Sequence, residues 1–411
     1  MSSELIDFSQ ISLYNTQRVT DEQSRQLFVA RKKLLNVILN SILSTKRNAP
    51  PKHQLIIGQR GMGKTTLLKR LEVELRTQPD YKGFIPLLFP EEQYNLDSLN
   101  TFWLNCIDAI ADVMEVEGKV ELAKEIDNEV NHLSTLTNEE REKNVFMYFN
   151  HLVFNLGRRP VLLIDNINFV LGRLNSDEQH VLRSYLTDSC AAIIIGASSS
   201  QIDDINTYNA PFYDAFQVHY LRRLSGLELM DILNNLATVT GQSRLKKAIK
   251  KNGSRIKAIN QLTGGNPRTA VILFKQIIKG FSDDITQELE GILDAQTPLY
   301  KARFEELPEK MQIIVNSIAM QWDPVTLEQI RESTQMENGQ ISPQLKRLSD
   351  FGWIERPKSA RGKGGTYEIS ERMFNIWFLM RLSSRRQKKM VSAYLSLWKL
   401  SMNKEAKWLV C

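Results

Sequence analysis

Leu55-Ile56-Ile57-Gly58-Gln59-Arg60-Gly61-Met62-Gly63-Lys64-Thr65-Thr66-Leu67-Leu68 is the stretch on which the reading of this chain turns. A short apolar run leads into a glycine-rich turn, and the turn leads into a segment of helix-forming residues. From Gly58 to Thr65 the turn has the spacing G-x-x-x-x-G-K-[ST]. Glycines let backbone N–H groups wrap round an anion, and the helix N-terminus behind them adds partial positive charge. Lys64 adds a mobile ammonium, and the Thr65 hydroxyl suits a Mg²⁺ ion. The segment Gly58, Gln59, Arg60, Gly61, Met62, Gly63, Lys64, Thr65 and Thr66 is therefore expected to bind ATP or ADP with Mg²⁺.

Outward from this turn, five short apolar runs recur: Leu55 to Ile57, Phe84 to Phe89, Val161 to Ile164, Ala192 to Ala197 and Phe216 to Leu221. Each is separated from the next by a stretch of helical period, as the buried strands of a parallel sheet require. The expected fold class is α/β, with a P-loop parallel-sheet domain over residues 51–224. Residues 1–50 precede it as a helical segment, in which Glu22 to Leu43 reads as one helix stopped before Asn48-Ala49-Pro50-Pro51. Residues 225–300 read as a helical lid broken at Gly264-Gly265-Asn266-Pro267. Residues 301–380 have the element order of a winged helix: two helices, a turn, a third helix from Ile341 to Phe351, then Trp353 to Arg356 and Thr366 to Ile369 flanking a Gly/Lys/Arg loop. Residues 381–411 read as a basic helical segment.

A Mg²⁺ held by Thr65 needs a carboxylate nearby, and Asp165 at the end of Val161-Leu162-Leu163-Ile164 supplies one. The alternative is an aspartate that only caps the following helix. Asn166 comes next, where many such sites carry a glutamate; a carboxamide can hydrogen-bond water but cannot take its proton. Hydrolysis is therefore expected to be slow, or to borrow a carboxylate from Glu178 or a partner chain. Ser198 reads either as a contact to the γ-phosphate or as an ordinary polar residue after a strand. Arg268 follows Asn266 and Pro267, which read as N-cap and first helical residue, so its side chain is presented by a fixed helix end that can report the γ-phosphate. The plainer alternative is that Asn-Pro only starts a helix.

At 411 residues with 42% apolar content the chain can bury enough core for about two to four domains. No apolar run approaches the roughly 20 residues that span a bilayer, and Met1 to Ser12 lacks the basic start and apolar core of a signal peptide. The expectation is a cytoplasmic protein with no membrane partner. Cys106, Cys190 and Cys411 have no paired spacing, against a disulfide framework or a zinc site. Net charge is +6, but Arg381 to Cys411 holds eight basic residues and one acidic, so the basicity is local. Trp322, Trp353 and Trp377 read as core aromatics.

Taken in order, these residues resemble the AAA+ class of P-loop ATPases. Within it they are most similar to STAND signalling ATPases and to the archaeal-type and origin-recognition ATPases with a winged helix. The resemblance covers about Phe28 to Met380 and implies adenine held between the Phe28 to Arg31 segment and the lid. It also implies Ser198 as sensor 1, and Pro267 and Arg268 at the nucleotide with Arg268 as sensor 2. Lys64, Asp165, Asn166, Ser198 and Arg268 would then form the catalytic set, with Thr65 and Asp165 as metal ligands. Asn166 departs from the pattern, and between Ser198 and Tyr220 there is no arginine to act on a neighbouring subunit. A nucleotide-dependent switch with slow hydrolysis is therefore expected in place of a hexameric motor, with nucleotide-driven homo-oligomerisation open.

The alternative is an ATP-dependent DNA-binding protein of initiator or transposition-regulator type. On that reading Lys346 and Arg347, with Gln340, Ser342 and Gln344, face a duplex, and Lys358, Arg361 and Lys363 in the wing touch phosphates. The near-neutral balance of Phe304 to Met380, with Glu328, Glu332 and Glu337 on the neighbouring helix, weighs against it. In STAND-like ATPases the same module packs on the nucleotide domain, so DNA and a protein partner both stay open.

Overall fold

The computed structural model describes residues 20–46, 49–89, 96–199, 212, 214–243, 246, 247, 249, 259–279, 285–356 and 365–382. They fall into two compact units. One holds Lys64–Leu221 and the described residues up to Gly58; the other holds Gln59–Gly63 and the described residues from Arg222 onward.

The first unit is built on five parallel strands, β1 (His53–Ile57), β2 (Phe84–Leu88), β3 (Arg159–Ile164), β4 (Ile193–Ser198) and β5 (Phe216–Tyr220), in the order β2-β3-β4-β1-β5. All five apolar runs in the sequence became strands. The central β1, β3 and β4 are buried on both faces, which is why their sequences are near-continuous runs and not alternations. Pro86, which has no N–H to give a ladder, sits in the edge strand β2.

Helices surround this sheet. The expected single helix from Glu22 to Leu43 is instead two, α1 (Asp21–Leu27) and α2 (Lys32–Leu43), parted where Arg31 turns left-handed with φ 65°. Four residues intervene, about one helical turn, so the apolar period continues in phase and hides the break. α3 (Lys64–Thr77) follows the glycine-rich turn. Between β2 and β3 lie α4 (Leu99–Val116), α5 (Val120–Thr135) and α6 (Asn138–Leu156), with Trp103 of α4 packed against Phe102, Phe146, Phe149 and Tyr185. α7 (Ile167–Arg173) and α8 (Ser176–Leu186) lead to β4.

The second unit contains α9 (Gly226–Val239), α10 (Pro267–Lys279) and α11 (Ile285–Glu305), then α12 (Glu309–Ala319), β6 (Val325–Thr326), α13 (Leu327–Thr334), α14 (Asn338–Asp350), β7 (Ile354–Glu355), β8 (Thr366–Ile369) and α15 (Arg372–Leu382). The last three strands pair antiparallel in the order β6-β8-β7. Gly265 has φ +68°, and a Cβ there would lie 2.4 Å from Leu224 O, so the break before α10 needs glycine. Trp353 and Trp377 are buried as expected, whereas Trp322 is only half-buried and stacks under the Arg372 guanidinium, 4.5 Å from the ring centre. Among the described residues no helix is long and apolar enough to cross a membrane.

Candidate functional site

In the first unit β1 lies between β4 and β5 and runs into Gly58, the first residue of the glycine-rich turn. Gly58 N donates to Ser198 O at 3.1 Å, and a Cβ on Gly58 would lie 2.9 Å from Leu221 Cβ, so only glycine starts the turn without displacement. Lys64 opens α3 and is buried, its Nζ donating to Gly58 O at 2.8 Å. An ammonium is thus held at the mouth of the turn by a neutral carbonyl, a partner that a phosphate oxygen can replace with a gain in charge.

The Thr65 hydroxyl donates to Asp165 Oδ2. These two were expected to share one Mg²⁺, and they meet directly at the ends of α3 and β3. Asp165 Oδ1 accepts the Asn166 N–H at 2.9 Å, and the N-cap of α7 is Asn166, not Asp165. The aspartate therefore faces Thr65 and is not consumed as a helix cap. Among the described residues no three His, Cys, Asp or Glu side chains cluster to hold a metal. One hydroxyl and one carboxylate are what Mg²⁺ takes from protein when water and phosphate fill its remaining positions, so these residues fit it.

Asn166 adopts φ 50°, a left-handed conformation that asparagine tolerates, and its side chain makes no capping bond. Ser198 is fully buried at the end of β4 and donates to Asn168 Oδ1 at 3.1 Å. Asn168 was not foreseen; two polar residues flanking Ile167 just after a buried strand are the only local sign of it. Glu178 is not a spare carboxylate: Oε1 accepts Leu99 N at 2.8 Å and Oε2 accepts Asn175 N at 3.0 Å, so it holds the starts of α4 and α8. Phe28 is buried at the end of α1, and Arg31 is the N-cap of α2.

In the second unit the crown of the turn, Gln59–Gly63, packs on α10, α11 and the end of α14. Arg268 N donates to Gly61 O at 3.3 Å, and Asn266 Nδ2 donates to Arg60 O at 3.3 Å. Asn266 Oδ1 in turn accepts the N–H groups of Arg268 and Thr269 at 3.0 and 3.3 Å, which makes Asn266 the N-cap and Pro267 the first helical residue, as the sequence suggested. Gly61 has φ +83°, with Asn266 Oδ1 3.0 Å from where its Cβ would be. Arg60 pairs with Glu306 at 2.7 Å. Gln59 bonds Arg303 and Phe351 O, and Arg303 pairs with Glu371 at 2.7 Å with both side chains buried.

A family profile described as an ATPase domain predominantly from Archaea matches residues 28–273. This chain belongs to that family. Solved structures of P-loop ATPases share the fold. A Walker-type ATPase of Pyrococcus abyssi is 16% identical over 89% of this chain and 99% of its own, with a TM-score of 0.58. The ORC2 protein of Aeropyrum pernix, solved as ADPNP–ADP complexes, is 14% identical over 96% of this chain and 99% of its own, with a TM-score of 0.50. A STAND protein of Pyrococcus horikoshii with a tetratricopeptide-repeat sensor also aligns, 16% identical over 91% of this chain and 45% of its own, with a TM-score of 0.34. No curated protein matches the sequence.

For this archaeal-type ATPase, nucleotide binding follows from the family. Of the residues considered for DNA, Lys346 and Arg347 are exposed on α14 with Gln340 and Ser342, and Gln344 is half-buried. Lys358, Arg361 and Lys363 lie outside the described residues. Arg303 and Glu371 were missed, since nothing local in the sequence marks two residues that meet only through folding.

Proposed function

We propose that this ATPase is a nucleotide-dependent switch that turns over slowly and passes the state of its nucleotide to the segments after Arg222. On this reading residues 225–300 are a lid and 301–380 a winged helix. Bonding of the turn's crown, at Arg60 and Gly61, to Asn266 and Arg268 carries the reading, because any adjustment of the turn to a phosphate is felt at the start of α10. Thr65 and Asp165 would hold Mg²⁺, which when bound offsets negative charge on the outer phosphates. Lys64 would leave Gly58 O for a phosphate oxygen, and Asn166 would orient water without accepting its proton. Ser198, through Asn168, and Arg268 would read the γ-phosphate. A ligand biases two arrangements only as far as it contacts them differently, which is the part given to Arg268. Hydrogen exchange tests it: protection of α10 on adding ATP, reduced in Arg268→Ala, is expected. Identical exchange with and without ATP would overturn the switch.

A second reading, duplex binding by α14, is favoured by one observation: four polar residues, two of them basic, stand exposed along one helix. It expects a mobility shift that weakens steeply with salt and is lost in Lys346→Ala/Arg347→Ala. No shift at low salt removes it.

A further inference from the structure

Gln59 is the second residue of the phosphate-binding turn, and both ends of its carboxamide are engaged in the second unit. Nε2 donates to Phe351 O at 2.6 Å, and Oε1 accepts from Arg303 Nη2. Arg303, in α11, is buried; its Nη1 donates to Glu371 Oε2 at 2.7 Å, and its guanidinium lies 5.0 Å from the Trp353 ring centre. Glu371 Oε1 accepts from Thr269 Oγ1 at 2.9 Å and from the Tyr300 hydroxyl at 2.8 Å. A chain of buried polar contacts therefore runs from Thr269 of α10 and Tyr300 of α11, through the carboxylate before α15, to the crown of the turn.

A buried ion pair is a poor source of stability, because desolvation offsets its Coulomb attraction, and apolar residues of similar volume often serve as well. What the pair does supply is geometry. The guanidinium is a rigid fork, so an arginine clamped on one side by Glu371 offers its other amino group in a fixed direction, and that group meets Gln59.

We propose that Glu371, Arg303 and Gln59 form a positioning relay for the phosphate loop, holding Gln59–Gly63 in the shape that receives the α- and β-phosphates. The intactness of the segments contributing Phe351 and Glu371 then sets nucleotide affinity. This rests on nucleotide binding at the turn and goes beyond it by naming what preorganises the site. Backbone N–H groups of such a turn serve phosphates common to ADP and ATP. Loss of the relay therefore weakens both nucleotides alike, unlike loss of a γ-phosphate reader.

Calorimetric titration of the full chain with Mg²⁺ and either ADP or ADPNP tests it in the wild type, Gln59→Met, Arg303→Met and the double variant, with folding checked by circular dichroism. Each single change is expected to raise both Kd values roughly tenfold, as removal of a hydrogen bond to a charged group does. The double variant should be no weaker than the worse single, the mark of a shared interaction. Arg303→Lys should not rescue, since an ammonium lacks the fork. Wild-type affinity in Gln59→Met, additive losses in the double variant, or a loss confined to ADPNP would each overturn the relay. Should Arg303→Met not fold, Glu371→Gln takes its place: parallel weakening of both nucleotides supports the relay, and unchanged affinity overturns it. Absence of uptake by the wild type would instead count against the nucleotide site itself.

Discussion

Asn166 sits directly after the carboxylate that meets Thr65, and its left-handed backbone narrows what can replace it. Asparagine and aspartate accept that conformation at little cost, whereas longer side chains do not. Turnover of the wild type is expected below about one per second, the low end for phosphoryl-transfer enzymes. Asn166→Asp, which restores a proton acceptor without straining the backbone, should raise kcat about tenfold or more with KM little changed, measured by steady-state phosphate release; an unchanged kcat would mean that this position does not limit hydrolysis. Gly61 makes a second residue-level case. With φ +83° and Asn266 Oδ1 and Arg268 Cβ at 3.0 and 3.1 Å from the added carbon, Gly61→Ala must strain the backbone and push α10 away. A stability loss of roughly 1–2 kcal/mol is expected in urea titrations, together with weakened ADP uptake.

At the scale of elements, β1 carries a pH dependence. His53 is buried between its neighbours: Ile194 N–H of β4 donates to Nδ1 at 3.0 Å, and Nε2 lies 3.0 Å from Leu186 O, so the neutral ring is fully used. Burial pushes its pKa down from 6.5 to about 4. The unfolded chain thus holds more protons between those values. Stability is complete above pH 6.5 and falls as pH drops toward 4, by about 2 kcal/mol at pH 5 relative to pH 7. Urea midpoints at the two pH values should show that difference in the wild type and a smaller one in His53→Gln. The five strands were legible because burial on both faces writes them as continuous apolar runs. The gap between α1 and α2 was not, since a four-residue interruption preserves the phase of the apolar stripe. Nor could spacing reveal that Glu178 is tied to two helix starts, because one of its partners, Leu99, is remote in sequence.

For the molecule as a whole, the phosphate turn belongs to both units in sequence: Gly58 and Lys64 fall in one, Gln59–Gly63 in the other. Its local geometry was legible, because G-x-x-x-x-G-K-[ST] and the aspartate after β3 are local patterns, and Lys64 does open α3 while Thr65 meets Asp165. Its support was not, since Gln59, Arg303 and Glu371 are distant in the chain and only folding brings the three together. A ligand that binds only the folded form stabilises it by mass action, about 2.7 kcal/mol at a hundredfold excess over Kd. ADP with Mg²⁺ at that excess should therefore raise the melting temperature by several degrees, and Lys64→Ala should abolish the shift in differential scanning. Finally, the indole of Trp353, stacked beneath a guanidinium that grips the phosphate turn, gives the protein an intrinsic optical gauge. Its emission should change colour or yield as adenine nucleotides are titrated in, while Trp103, enclosed by aromatic rings in the other unit, should stay constant, so that two single-tryptophan versions would read occupancy without any attached dye.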